Sequence, residues 1–472
     1  MLSLENRVRR ERCLAANAAE YGEQARTLNW VTPERAQAAE TERARLLKEM
    51  APAVTSACRQ TKPHLGALSP GCRICTRGSW SCLFINGRCN CSCFYCPTSQ
   101  NDISVPTTNR IPFARAGDYA AYIDQLKFQG VSISGGEPLM TFPRTVRYIE
   151  TGRRRLGDDL HIWLYTNGTL LTAEHVAALQ AAGLNEIRFD LSAVNYDLKK
   201  VSLAAGRIPC VTVEIPAIPE DIDRLGALLP ALQDAGVDYL NLHQLRLTPY
   251  NRARLQTRNY TYLHGEKVTV LESELAALVL MRTACERGIG LPINYCSFTY
   301  KHRYQNAAVR RRYAPYLVKA YEDITPGGYI RTMVLCGSVE GLPRQAGRFA
   351  AAGGNAAKWL LTTKKDRLYF HPSLWPSINF DGLELQVGYA EALLSVHASG
   401  RNAFREIRLS PKTRLYVEKQ PSVAPVTIDA AHYARLGHYL ADSENGEPGP
   451  GQPLPEIVST HEFIYPGLQD YY

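Results

Sequence analysis

The sequence predicts an α/β protein: a partial (β/α)6 barrel preceded by a Cys-rich loop and followed by a β-rich C-terminal domain. Three observations carry this reading. From Trp80 to Leu245, short apolar or β-branched runs alternate with amphipathic helical patterns, as parallel strands with crossover helices require. Eight of the 13 cysteines fall between Cys58 and Cys96. After Gly337 the helical texture gives way to short β-like runs set among turns.

Residues 1–57 are rich in Ala, Glu and Arg, and Thr32-Pro33-Glu34 is a helix-start signal, so a helical extension of two helices is expected. Its mixed charges describe a solvated face rather than a nucleic-acid arm. Residues 58–79 carry Cys, Pro and Gly with little periodicity and read as a metal-binding loop. Residues 80–336 are assigned to the barrel. Its strands are expected at 80–86, 131–134, 161–166, 186–192, 211–217 and 239–245, and its helices at 118–128, 142–155, 173–182 and 221–235. Residues 246–285 form an excursion running into a helix at 271–286, followed by a strand at 291–296 and a basic helix at 301–313. Residues 337–472 form the accessory domain, with β-runs at 360–363, 367–371, 382–387, 406–409 and 414–417. A Gly- and Pro-rich linker at 443–455 leads to a tail containing Tyr465, Tyr471 and Tyr472, which could plug the barrel or dock a partner.

A hydrophobic share of 45% and a charged share of 21% describe an ordinary globular chain. No apolar run approaches a membrane span, and the basic start leads into no apolar stretch. Neither a membrane partner nor a secretory signal is expected, and the cytoplasm is the expected compartment. The net charge of +9 is mild for 472 residues; it suits an anionic partner without demanding one. Arg310-Arg311-Arg312 with Lys301 and Arg303 reads as a solvated helix face, and a cradle for a phosphate or an acidic peptide is the sharper alternative. No RNA-binding motif is present, so nucleic acid is not an expected partner; a metal-stabilised RNA-binding protein is the reading from another class.

Thiols in a reducing compartment point to metal rather than disulfides. The segment Cys89-Asn90-Cys91-Ser92-Cys93-Phe94-Tyr95-Cys96-Pro97 contains C-x3-C-x2-C. Three thiolates bind three irons of a cubane and leave the fourth open to a chelating amino and carboxylate group, such as the methionine end of S-adenosylmethionine (SAM). The rival is zinc, with Cys91 as a fourth thiol. Position argues against it: the motif follows the strand at 80–86, where a βα-loop at the catalytic end of a barrel belongs. Ser134-Gly135-Gly136-Glu137-Pro138 follows the next strand. Two glycines let backbone approach a ligand, and a carboxylate holds an ammonium group. Upstream, Cys72-x2-Cys75 is a metal-knuckle spacing that, with Cys58 and Cys82, suits a tetrahedral iron or zinc. Cys91 is the substitute fourth ligand, and a second iron–sulfur cluster is the rival. Tyr295 and Cys296 end the strand at 291–296 and are candidate catalytic hydrogen-atom relays, with a buried structural role as the alternative.

The cysteine motif with its aromatic Tyr95, together with Gly135-Gly136-Glu137-Pro138, resembles the radical SAM superfamily. The resemblance implies that Cys89, Cys93 and Cys96 hold a 4Fe–4S cluster that cleaves SAM to a 5′-deoxyadenosyl radical. It implies that Gly135, Gly136, Glu137 and Pro138 receive the SAM amino group and that Tyr95 sits against the adenine. Thr166 and Asn167 would lie near the ribose and methionine, and Arg188 and Asp190 would contact SAM at the same mouth. It also implies an electron donor of flavodoxin or ferredoxin type. A narrower resemblance is carried by Gly71-Cys72-Arg73-Ile74-Cys75, Ala182-Gly183-Leu184, Glu214-Ile215-Pro216 and Asn294-Tyr295-Cys296-Ser297. It is to a largely archaeal radical SAM group that includes the cobalamin-dependent methylase of an arginine carbon in methyl-coenzyme M reductase, and to the group rather than to that methylase. It implies C-methylation of a protein or peptide, with cobalamin held by residues 338–472, although the D-x-H-x2-G fingerprint is absent. Cobalamin-independent peptide cross-linking, epimerisation or dehydrogenation is the alternative.

Overall fold

A computed structural model describes residues 4–100, 104–441 and 454–471. The chain divides into two compact units, residues 9–305 with 466–472, and residues 306–465 with the first eight.

Helix Leu4–Tyr21, which belongs to the larger unit from Arg9 on, is followed by helix Pro33–Glu49, capped by Thr32, whose side chain accepts from Arg35 N. Two short strands, β1 (Val54–Ser56) and β2 (Lys62–Leu65), pair with each other antiparallel. The barrel strand β3 (Trp80–Asn86) is flanked by the ribbon β4 (Thr107–Thr108) and β5 (Ile111–Pro112). Then follow β6 (Gly130–Gly135), β7 (His161–Thr166), β8 (Glu186–Phe189), β9 (Cys210–Pro216) and β10 (Tyr239–His243). A hairpin of β11 (Tyr262–Leu263) and β12 (Thr269–Val270) precedes the last strand, β13 (Ile293–Cys296). The sheet order is β1-β2-β13-β10-β9-β8-β7-β6-β3-β4-β5. From β3 to β13 every pairing in that order is parallel, so the expected six strands gain the seventh at 293–296.

Why these residues make this layer is plain from burial. Ile187 and Phe189 of β8 are buried apolar groups, as are Val211, Val213 and Ile215 of β9, whereas Glu186, Arg188 and Glu214 fall on the alternate positions. Period-two alternation thus separates an apolar face from a polar one. Crossover helices follow β6 to β9, among them Phe142–Leu156, Ala173–Ala181 and Ile222–Asp234.

Three expectations change here. The segment 58–79 is not all loop: β2 pairs antiparallel with β13, and Cys72 and Cys75 sit on a helix, Pro70–Thr76, capped by Ser69. A four-residue strand containing Pro63 has no periodicity to read, and its partner lies far along the chain. The boundary between the units falls at 305/306 rather than at 336/337, because β15 (Ile330–Gly337) lies inside the C-terminal sheet. The linker at 443–455 lies outside the described residues except at its last two positions. In the tail, Tyr471 hydrogen-bonds Glu274 and lies under the Arg43 guanidinium, 4.3 Å from its ring centroid, which ties it to helix Leu271–Glu286 and not to the barrel mouth.

The smaller unit is an antiparallel sheet with a core of its own. Its strands are β14 (Asp323–Ile324), β15, β16 (Trp359–Leu361), β17 (Arg367–Phe370), β18 (Leu383–Ser395), β19 (Phe404–Arg408), β20 (Arg414–Pro421) and β21 (Val426–Ile428). Met333, Leu335, Leu385, Val387 and Phe370 pack with Leu342 and Phe349 of helix Gly341–Ala351. Arg331 is buried between Asp323 and Glu462; Glu462 also accepts from Tyr389 (2.7 Å) and Tyr439 (3.2 Å). Of the basic run, Arg310 and Arg311 donate to the carbonyls of Gly327 and Pro326, a structural use. Among the described residues no helix is long and apolar enough to cross a membrane.

Replacing Arg331 with Met leaves the buried Glu462 and the half-buried Asp323 without their cation and is expected to destabilise the smaller unit by about 3–5 kcal/mol, read from urea unfolding.

Candidate functional site

The loop that follows β3 carries Cys89, Cys91, Cys93 and Cys96, and has no regular structure of its own. Its backbone groups therefore need partners from elsewhere. One set comes from the turn after β6. Gly136 N donates to Asn86 O (3.0 Å), Glu137 N to Arg88 O (2.8 Å), and Asn86 Nδ2 to Glu137 O (2.9 Å). Both glycines are required by this approach. Gly135 has φ +129°, and a Cβ on Gly136 would lie 2.0 Å from Arg88 O. The second set comes from the segment after β10, which periodicity alone marks only as an excursion. Thr248 Oγ1 donates to Pro97 O (3.1 Å), Asn251 Nδ2 to Tyr95 O (3.0 Å) and Arg254 to Cys93 O (2.9 Å) and Cys96 O (3.4 Å). The signal that could have found it is the turn sequence Thr248-Pro249-Tyr250-Asn251 just past a strand end.

All four thiols of this loop line one cavity of about 310 Å3, together with Gly135, Gly136, Glu137, Thr166, Asn167 and Asp190. Glu137 is 1% exposed, and its carboxylate accepts from Leu139 N (2.9 Å), Thr166 Oγ1 (2.8 Å) and Asn167 N (2.8 Å). Burial pushes its pKa up despite these donors. It is a clamp between two loops first, with little capacity left for an ammonium group. Pro138 is buried and starts the turn Pro138–Thr141 away from the cavity lining. Tyr95 donates to Asp190 Oδ2 (2.9 Å) and lies 2.6 Å from Ser192 Oγ. Asp190 is held up by burial, opposed by those same hydrogen bonds.

The donor set fits an iron–sulfur cluster. Burial raises Cys93 to about 12 and Cys91 to about 11, so the free thiols are neutral and a metal would have to deprotonate them. Asn167 Nδ2 (3.8 Å) points at Cys89 Sγ and Gln100 Nε2 (3.1 Å) at Cys96 Sγ, donors suited to thiolate. Among the described residues no three Cys, His, Asp or Glu side chains converge on one metal-ion position. A cubane spreads its ligands over three irons, so it asks for no such convergence.

Arg188 does not reach the cavity. It is buried in the barrel, donating to Glu186 (2.8 Å), Glu214 (2.5 Å) and Ser69 (3.2 Å). Burial opposes the charge of Glu186, but Arg188 and His161 bring it down to about 2. Glu186 also accepts from Gly71 N (3.0 Å), and a Cβ on Gly71 would lie 2.4 Å from the Arg188 guanidinium. The helix Pro70–Thr76 is thereby seated against the barrel's polar interior.

The upstream thiols group differently from their spacing. Lys62, 1% exposed, lies among Cys296, Cys72, Cys75 and Cys58: burial opposes its charge, and these four thiols hold its pKa above that of an ordinary lysine. Its ammonium stands 4.1 Å from the Tyr300 ring centroid. Cys75 Sγ accepts from Gln305 Nε2 (2.6 Å) and lies 3.2 Å from Tyr300 Oη; Cys72 Sγ accepts from Asn241 Nδ2 (3.4 Å). Cys82 is elsewhere, beside Ser132 and feeling Glu214 and Arg188. Cys296 takes its place, because β2 pairs with β13 and brings the Cys58 turn to that strand. That turn is strained: Cys58, Arg59 and Gln60 all have φ between 55° and 65°. The four sulfurs are of the kind a tetrahedral ion takes, but among the described residues they do not converge on one ion position, and Lys62 competes for the same negative charge. Tyr295 is fully buried, with its hydroxyl on Glu274 (3.3 Å), and is not part of the cavity lining.

The family model for the radical SAM superfamily matches residues 83–207. A protein of Methanocaldococcus jannaschii described as a putative glycyl-radical enzyme activating enzyme is 30% identical over 279 residues, 56% of this chain and 72% of that protein. A GTP 3′,8-cyclase of Desulforamulus reducens is 33% identical over 116 residues, 24% of this chain and 34% of that protein. The solved structure of the radical SAM methyltransferase TsrM from Kitasatospora setae shares 17% identity over 38% of this chain and 39% of that one, with a TM-score of 0.29.

Gly136→Val forces the Arg88 carbonyl, and Cys89 with it, out of place. The variant is expected to lose most of its iron–sulfur absorbance after anaerobic reconstitution, and not SAM affinity alone.

Proposed function

We propose that this chain, which belongs to the radical SAM superfamily, uses SAM to abstract a hydrogen atom from an unactivated carbon of a protein or peptide. The observation that carries this is the meeting of four loop thiols, the Gly135–Glu137 turn, Thr166, Asn167 and Asp190 on one cavity. Cys89, Cys93 and Cys96 would hold a 4Fe–4S cluster, which when bound would supply the electron for reductive cleavage of SAM to methionine and a 5′-deoxyadenosyl radical. The protein's own part is positional. Gly135 and Gly136 line the space the methionine end would enter, Thr166 and Asn167 edge the same space, and the Tyr95–Asp190 hydrogen bond fixes the aromatic ring at the wall that would face the adenine. Members of this superfamily need an electron donor; one of flavodoxin or ferredoxin type is proposed.

The M. jannaschii relative is described as activating an enzyme, that is, as acting on a protein, which supports a protein substrate. The finer reading is C-methylation with cobalamin held by the C-terminal domain. It is supported by a unit with a separate core beyond the barrel. The residues of that unit single out no corrinoid seat, so no step is drawn through one. Cross-linking, epimerisation or dehydrogenation of a peptide is the alternative. We further propose one iron or zinc at Cys58, Cys72, Cys75 and Cys296.

Reconstituted protein given dithionite and SAM is expected to release 5′-deoxyadenosine, and Cys93→Ala to release none; release by a variant with Cys89, Cys93 and Cys96 all changed to Ala would overturn the reading. Transfer of a labelled SAM methyl group, with a corrinoid spectrum after anaerobic loading, separates methylation from the alternatives. In the variant lacking those three cysteines, residual iron or zinc is expected to vanish with Cys296→Ala and to survive Cys82→Ala. If that variant binds neither metal, Lys62 is the thiols' counter-ion.

A further inference from the structure

The cavity has two chemically different walls. The cluster loop, the turn after β6 and the ends of β7 and β8 supply one, with Glu137 and Asp190 as its charges. The other is built by residues just past β10 and β13: His243, Gln244, Arg246, Phe298 and Lys301. This second wall holds donors that have no acceptor. Gln244 is 1% exposed; its Oε1 accepts from Phe298 N (3.1 Å), and its Nε2 is buried with no partner. The Nε of Arg246 is likewise buried and unpartnered. Among the described residues Lys301 makes no side-chain hydrogen bond or ion pair. Its ammonium stands 4.8 Å from the Phe298 ring centroid, and the Arg246 guanidinium 5.7 Å from the same point.

A buried donor left without an acceptor is costly; Gln244 Nε2 and Arg246 Nε are two such donors on one cavity wall, and with the half-buried Lys301 ammonium beside them they form the complement of a carboxylate. Glu214 lines the same cavity; burial opposes its charge while Arg188, then His243 and Lys301, favour it, and its Oε2 accepts from Arg188 (2.5 Å) and Asn241 (3.2 Å). Glu266 is held by Arg303 (3.1 Å). His243 adds no charge, since burial and then Lys301 push it down to about 4, leaving it neutral at pH 7.

We propose that Gln244, Arg246 and Lys301 form a carboxylate subsite for the substrate, seating an acidic side chain or chain terminus next to the reacting carbon. This rests on the assignment of the opposite wall to SAM, whose methionine end already has Gly135–Glu137, Thr166 and Asn167 about it.

The test uses reconstituted enzyme saturated with SAM, with glutarate as probe and neutral, isosteric glutaramide as control, read by calorimetry. Wild type is expected to bind glutarate at least about tenfold more tightly than glutaramide. Lys301→Gln and, separately, Arg246→Gln are expected to erase that preference while SAM affinity by equilibrium dialysis stays within about twofold. Equal binding of the two probes by wild type overturns the proposal, and this comparison is decisive even where a variant fails to fold. A variant that weakens SAM tenfold and leaves the glutarate preference unchanged also overturns it, for the wall then holds the methionine carboxylate. Absence of 5′-deoxyadenosine with the glutarate preference intact would sink the radical reading and leave the subsite standing.

Discussion

An irregular loop must be held by groups outside itself, and the loop from Asn86 to Pro97 is the constraint on which this site depends. Its carbonyls at Asn86, Arg88, Cys93, Tyr95, Cys96 and Pro97 are all met by donors from two distant segments. One segment follows the neighbouring strand, and the other follows β10. The barrel's curl is what lets both reach the same loop. The two glycines at 135 and 136 are demanded by backbone packed on backbone before any ligand is considered.

Below the cavity the barrel is filled with charge rather than with apolar side chains. Arg188 pairs with both Glu186 and Glu214 at hydrogen-bond distance. Trp163 and Tyr165 lie against the guanidinium, their ring centroids 5.1 and 5.4 Å away. Such a buried network is costly to break and specifies one arrangement. It seats the helix of Cys72 and Cys75, so the second thiol set and the cavity floor share residues: Glu214 lines the cavity, and Asn241 bridges Glu214 and Cys72. The chain thus couples two sulfur-rich centres through one polar interior.

The smaller unit obeys a different logic. Its sheet is antiparallel and its core is aliphatic and aromatic. A buried cation, Arg331, ties strand β15 to helix Glu456–Glu462. This is the architecture of a unit stable through its own packing, as an accessory domain needs to be.

What the sequence determined by itself is whatever lies within one turn or one strand. The C-x3-C-x2-C loop, the Gly135-Gly136-Glu137 turn and the strands at 80–86 and 161–166 are local patterns, and local periodicity reports them faithfully. The tertiary structure decided everything that depends on which distant strands meet. Arg188 looked like a mouth residue from its strand position but is drawn down by Glu186 and Glu214, because a buried guanidinium goes where carboxylates can pair with it. Cys82 has the better spacing to Cys75, yet Cys296 joins the thiol group, because the pairing of β2 with β13 sets who is near whom. Gln244 and Arg246 stand just past a strand end, where function is expected in any barrel, but only the assembled sheet shows that their donors are left without acceptors.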